Sequence, residues 1–183
     1  MPEHETDHTP DTDTPLWRFA LALWQCDEAA SLCLSLQEKG WSVTRLLSAG
    51  WLARERRVYP QAEPLALQQW RAEMTGSLRA LKKSLAKSDP LLAPLRQTLA
   101  RAELEAERVE LYRAWQALHN ALKADPETPD IALIQQNLRR AAPCTDDGQN
   151  VSTEPKISHL AELINQTGVS VRSGACAQPG SVT

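Results

Sequence analysis

Residues 65–87 read LALQQWRAEMTGSLRALKKSLAK, and their spacing decides the fold class. Leu67, Trp70, Met74, Leu78, Leu81 and Leu85 recur at intervals of 3, 4, 4, 3 and 4. That period places them on one stripe of an α-helix, whereas a strand alternates its side chains between two faces. Pro60 and Pro64 punctuate the approach, and Ser88-Asp89-Pro90 marks a turn and a new start. The pattern predicts a helix from Leu65 to about Lys87 with a coiled-coil-like seam.

On the C-terminal side a long helix is expected to about Ala124, with Pro94 tolerated in an irregular first turn. It carries two stripes, Leu95, Leu99, Ala102, Ala106 and Val109, then Leu104, Leu111, Trp115, Leu118 and Leu122. Thirty helical residues span on the order of 45 Å, so the two helices read as a long antiparallel hairpin. Thr128-Pro129 opens a shorter helix to about Ala141, with Ile131, Ile134 and Leu138 facing inward.

On the N-terminal side three short helices precede the hairpin. Thr14-Pro15 pairs a capping hydroxyl with proline at the first helical position, followed by Leu16, Phe19, Ala20 and Leu23 on one face. Asp27 is the expected cap of a second helix that buries Ala29, Leu32, Cys33 and Leu36, and Gly40 is its expected C-terminal stop. Ser42 caps a third helix carrying Val43, Leu46, Leu47, Gly50 and Trp51. Glycine inside a helix costs roughly 1 kcal/mol relative to alanine, which close helix packing at Gly50 would offset.

Composition agrees. Among 183 residues there are seven Gly, two Tyr and one Phe, too few for a sheet protein rich in turns and aromatic strands. The expected fold is all-α, an N-terminal three-helix cluster packed on a long antiparallel hairpin with disordered ends. The boundaries read as an acidic tail over 1–14, a helical domain over 15–142, and a mostly disordered tail over 143–183. That last tail holds a short amphipathic helix near 156–167, where Ile157, Leu160 and Ile164 would meet a partner.

The charge is unevenly spread. Residues 1–14 hold five acids and no Lys or Arg, whereas residues 15–142 carry 18 basic against 14 acidic side chains. This mild excess does not imply nucleic acid, and the clusters Arg54, Arg56, Arg57 and Arg79, Lys82, Lys83, Lys87 read as ordinary helix surfaces. The N-terminus lacks the basic start and apolar run of a signal peptide, and no apolar run approaches the roughly 18 residues of a membrane span. A soluble, cytoplasmic protein with four reduced cysteines is expected.

No catalytic, metal or phosphate-binding motif stands out. Glu103, Glu107 and Glu110 share one helix face, but Gln116 stands where a di-iron bundle would need glutamate before His119, so a solvated face paired with Arg101, Arg108 and Arg113 is expected. His4 and His8 with Asp7 could chelate a metal in isolation, but acidic tails often carry such residues without function; His159 has no nearby cysteine or second histidine, and no cofactor is expected. Ser84 and Lys87 match Ser-x-x-Lys without its companion motifs.

Six tryptophans are the one unusual count. Trp51 and Trp70 lie on apolar stripes and read as core, whereas Trp17, Trp24 and Trp41 are candidates for a ligand pocket or an interface, with Trp51 as a further lining residue. Gln37, Glu38, Ser42 and Thr44 are the polar residues that could converge in a cleft. A non-enzymatic interaction or regulatory protein with a protein partner or a second copy leads. A Trp-lined small-molecule or lipid pocket and an enzyme with an unfamiliar site are the alternatives.

Leu16-Trp17-Arg18-Phe19-Ala20-Leu21, Cys33-Leu34-Ser35-Leu36-Gln37-Glu38, Val43 through Leu47 and Trp51-Leu52-Ala53 resemble a proteobacterial family of small uncharacterised helical proteins, catalogued as a domain of unknown function. The resemblance covers residues 16 to about 125 and is most specific over 16–53. It implies a helical fold and a bacterial cytoplasmic setting, and carries no activity or ligand.

Overall fold

A computed structural model describes the backbone of residues 12–143 and 150–172, and the side chains of 12–143 and 153–167. Residues 1–11 with His4, Asp7 and His8, and the cysteines Cys144 and Cys176, lie outside the described residues. The described chain is helical and holds no β-strand; its one β-bridge joins Arg57 to Lys123. No described helix is long and apolar enough to cross a membrane.

The helices are α1 (Pro15–Trp24), α2 (Asp27–Glu38), α3 (Val43–Arg54), α4 (Leu65–Trp70), α5 (Gly76–Ser84), α6 (Ala93–Leu118), α7 (Asp130–Arg140) and α8 (Asn150–Arg172). A π-helical turn over Arg71–Thr75 joins α4 to α5 without a break, and a 3₁₀ turn, Pro90–Leu92, opens α6. Local chemistry sets several boundaries. Thr14 Oγ1 accepts from Trp17 N at 3.1 Å with Pro15 as first residue, and Ser42 Oγ accepts from Arg45 N at 3.3 Å. Gly40, at φ +88°, reverses the chain after α2 in the left-handed region that favours glycine. The cap of α2 is Cys26 rather than Asp27: Asp27 is the first helical residue, where its charge meets the positive end of the helix dipole.

α3 is the centre of the molecule, buried from Val43 to Ala53 except at Arg45. α1 and α2 pack beside it, the hairpin leans on it through α6, and α7 with α8 covers the opposite side. The segment expected as a short helix in a mobile tail is part of a longer helix whose Ile157, Leu160 and Ile164 are fully buried. Its i, i+3, i+7 stripe completes the chain's own core. Gly50 shows why: a Cβ there would lie 2.9 Å from Ile164 Cδ1 and 3.2 Å from Phe19 Cζ, so glycine lets α1, α3 and α8 meet.

The hairpin is antiparallel, with Arg71 opposite Glu110, Arg79 opposite Glu107 and Glu103, and Lys82 opposite Glu103. The long helix ends at Leu118 rather than near Ala124, because the chain turns back to pair with the segment after α3: Val58 N donates to Leu122 O, and Ala124 N to Arg56 O. Arg56 sits at φ +56°, and its guanidinium donates to the carbonyls of Thr128, Asp125 and Pro126 and to Asp130. Arg57 donates to Ala121 O and Arg54 to Ile164 O. This basic cluster is therefore spent on tying the following loops and α8 to the end of α3.

Candidate functional site

The three glutamates of α6 do not form the solvated face expected from their spacing. They turn toward the π turn and α5, whose arginines and lysine reach across the hairpin. The deepest is Glu110, fully buried. It accepts from Arg71 Nε at 2.7 Å, from Thr75 Oγ1 at 2.9 Å and from the hydroxyl of Thr44 on α3. Arg71 also donates twice to Glu63, at 2.7 and 3.1 Å, and Tyr59 donates to the same carboxylate. Arg45 of α3 lies 3.3 Å from Glu63, so two carboxylates and two guanidiniums share one buried knot.

The π turn builds this knot. It adds one residue to the helical register, which turns Met74 out to solvent and brings Thr75 inward to Glu110. The arrangement answers the buried charges with opposite charges and hydrogen bonds, the condition for burying ions at all. Arg79 and Lys82 extend it along the hairpin to Glu103 and Glu107. Their guanidinium and ammonium hold the Glu103 carboxyl below its ordinary range against the opposing effect of burial. At Glu107 burial wins, helped by the neighbouring Glu103 and Glu110, and the carboxyl is held above its ordinary range despite Arg79.

Beside the knot, between α1, α3 and α6, lies an apolar notch of about 150 Å³. Val43, Leu47 and Leu111 form its floor, and Trp17, Leu21, Trp24 and Leu104 its walls and rim; Thr44 and Glu107 are its only polar lining residues. Thr44 reaches Ser42 Oγ at 2.8 Å and gives its proton to Glu110, so it presents little free polarity to the notch. The rim is open: Leu21, Trp24 and Leu104 are 45%, 40% and 53% exposed. The Arg108 guanidinium lies 5.2 Å above the Trp17 ring and holds that wall in place.

The tryptophans divide accordingly. Trp17 and Trp24 line the notch, while Trp51 is buried in the core. Trp41 is not a loop residue reaching outward: it is buried and faces the junction of α7 and α8, beside Ala142 and Ile157. Trp70 donates to Ala106 O at 3.1 Å under the Arg113 guanidinium, 4.0 Å above its ring. Gln37 is half-buried and Glu38 exposed near the end of α2, and neither is among the residues lining the notch. Ile157, Leu160 and Ile164 face the core and present nothing to a partner in this conformation. His159 pairs with Glu28 at 3.2 Å.

Leu21, Leu104 and Glu107 were not singled out for this notch by the sequence. Leu104 lies on the second stripe of α6, which is the one available signal; Glu63, between two prolines, offers none. Among the described residues no group of three or more His, Cys, Asp and Glu could hold a metal ion. A family model described as Protein of unknown function (DUF2390) matches residues 15–114, an interval that contains every residue lining the notch. No curated protein and no solved structure gives a significant match.

Proposed function

The chain belongs to that family of unknown function, and from this premise we propose that it is a non-enzymatic interaction protein whose α1–α3–α6 notch takes one apolar side chain of a partner protein. The observation that carries the reading is the size of the notch. At about 150 Å³ it matches a cavity that holds one benzene ring, and falls short of the roughly 300–1,000 Å³ of small-molecule sites. One buried leucine- or phenylalanine-sized anchor gains about 1.5–3 kcal/mol, and the exposed Leu21, Trp24 and Leu104 around it add area that excludes water. Catalysis finds less support, because the carboxylates beside the notch are engaged by arginine, lysine or threonine.

The test is photo-crosslinking in the native host, with a photoreactive residue in place of Leu104 and, as control, in place of Leu122, which is 80% exposed outside the notch. A protein adduct formed at Leu104, absent at Leu122 and abolished by Trp24→Ala supports the proposal. Equal adducts at both positions overturn it. A second copy of the chain as the adduct would make the notch a self-association site. A small molecule retained by the native protein in mass spectrometry, and lost with Trp24→Ala, would replace the proposal with a ligand pocket.

A further inference from the structure

We infer that the far end of the hairpin is a docking tip for an anionic lipid surface. α5 packs only on α6 and the π turn, and Pro90–Leu92 packs only on α6, so the distal hairpin projects from the body. No residue of α5 is buried; the ion pairs of Arg79 and Lys82 take the place of a core there. Yet this end carries Leu81, Leu91 and Leu95 at 52%, 87% and 48% exposure, with Leu91 at the turn itself.

Charge selects the occupant. From Leu81 to Arg101 there are five basic residues and one acidic residue, Asp89. Asp89 is engaged by the backbone, accepting from Leu91 N at 2.9 Å. Lys82 is held by Glu103 and Arg96 by the carbonyls of Lys82 and Leu85, whereas Lys83 and Lys87 are exposed and show no ion-pair partner among the described residues. Two such tips repel, which argues against a symmetric dimer through this end. Leu91, 87% exposed, stands on the turn itself, a placement that suits a flat surface better than a peptide. Lysines attract anionic headgroups while leucines enter the acyl boundary, the division of labour seen in interfacial anchors.

The test is co-sedimentation of the full chain with vesicles of phosphatidylcholine containing about 30% phosphatidylserine, and with phosphatidylcholine alone, at low and at about 0.15 M salt. The chain is expected to bind the anionic vesicles preferentially, and more weakly as salt rises. Each lysine near such a surface contributes about fivefold in affinity, so Lys83→Glu with Lys87→Glu should weaken binding at least about 25-fold. Leu91→Asp should weaken it tenfold or more by the ordinary burial coefficient, while Leu122→Asp, outside the hairpin tip, should change nothing. All four positions are exposed, and circular dichroism checks that each variant keeps its fold. No binding, equal binding to neutral vesicles, or indifference to Leu91→Asp overturns the inference. So does preference for DNA or polyglutamate over the vesicles, which would assign the tip to another acidic macromolecule.

Discussion

Glu110→Ala tests whether the buried knot is a structural joint. The native carboxylate is fully buried and takes three hydrogen bonds from two elements: one from Thr44 on α3, and one each from Arg71 and Thr75 on the π turn. Removing it leaves Arg71, only 19% exposed, with one carboxylate instead of two, and leaves two buried hydroxyls without their acceptor. Breaking a buried ion pair costs about 3–5 kcal/mol, and because Glu63 still holds Arg71 twice the lower end applies. A loss near 3 kcal/mol lowers Tm by about 6–12 °C for a chain of this size. Glu110→Gln, which keeps one oxygen but turns the other acceptor into a donor, should fall between. The assay is urea and thermal unfolding followed by far-ultraviolet circular dichroism, with Arg71→Met and the double variant closing a cycle whose coupling should reach about 2 kcal/mol. Glu154→Ala, which breaks an exposed pair with Arg139, is the control and should cost under about 1 kcal/mol. If Glu110→Ala costs no more than Glu154→Ala, the knot is not holding α3 to the hairpin and the reasoning fails.

Three further outcomes are expected. Ending the chain after Pro143 removes Ile157, Leu160 and Ile164 from the core, each worth about 1.5–3 kcal/mol, a sum comparable to the whole stability of a typical domain. The shortened chain should lose its cooperative melt, and a melt within about 2 kcal/mol of the full chain would contradict the packing of α8. Glu107, raised from an ordinary value of 4.5, binds its proton more tightly folded than unfolded, so its contribution is full below the unfolded value and is lost as pH rises through the folded one. Glu107→Gln should therefore gain stability relative to the native chain between about pH 4 and pH 7 in urea titrations, and a relative loss over that window would reverse the sign. Burial pushes the Cys33 thiol up to about 12, so in a Cys144→Ser, Cys176→Ser background a disulfide reagent at about pH 8 should modify Cys26 readily and Cys33 only on unfolding. Equal native rates at the two thiols would contradict that burial.

Helix period, caps and stops were legible because each rests on residues within one turn of one another. Thr14 with Pro15, Ser42 and Gly40 act as their chemistry dictates, and the stripe from Leu67 runs as spaced until Arg71. There the π turn shifts the register, and the seam residues Met74 and Leu81 become exposed while Thr75 turns inward. The local sequence gives no account of the extra residue; its effect is visible only in the knot it serves. The glutamates of α6 misled for a related reason. Spacing shows which residues share a face, whereas the direction of that face depends on Arg71, Arg79 and Lys82 some twenty to forty residues away. The glycine at position 50 did signal a close approach, but the neighbour it admits, Ile164, comes from the segment whose polar flanks concealed a core helix. Of the notch only Trp17 and Trp24 were legible as pocket candidates, since it assembles buried and exposed residues of three helices.

The meeting of Gly50 with Ile164 also sets a schedule for biosynthesis. α3 is the most deeply enclosed helix, but the side it shows to α7 and α8 is not fully covered until roughly 110 more residues have been added. At ordinary rates of translation that interval is on the order of ten seconds. Throughout it the surface of α3 that α7 and α8 later cover stays open to solvent or to whatever chaperone waits at the ribosome. The matched stretch, residues 15–114, ends before α7 and α8 begin, so in this chain the core is closed by helices outside it.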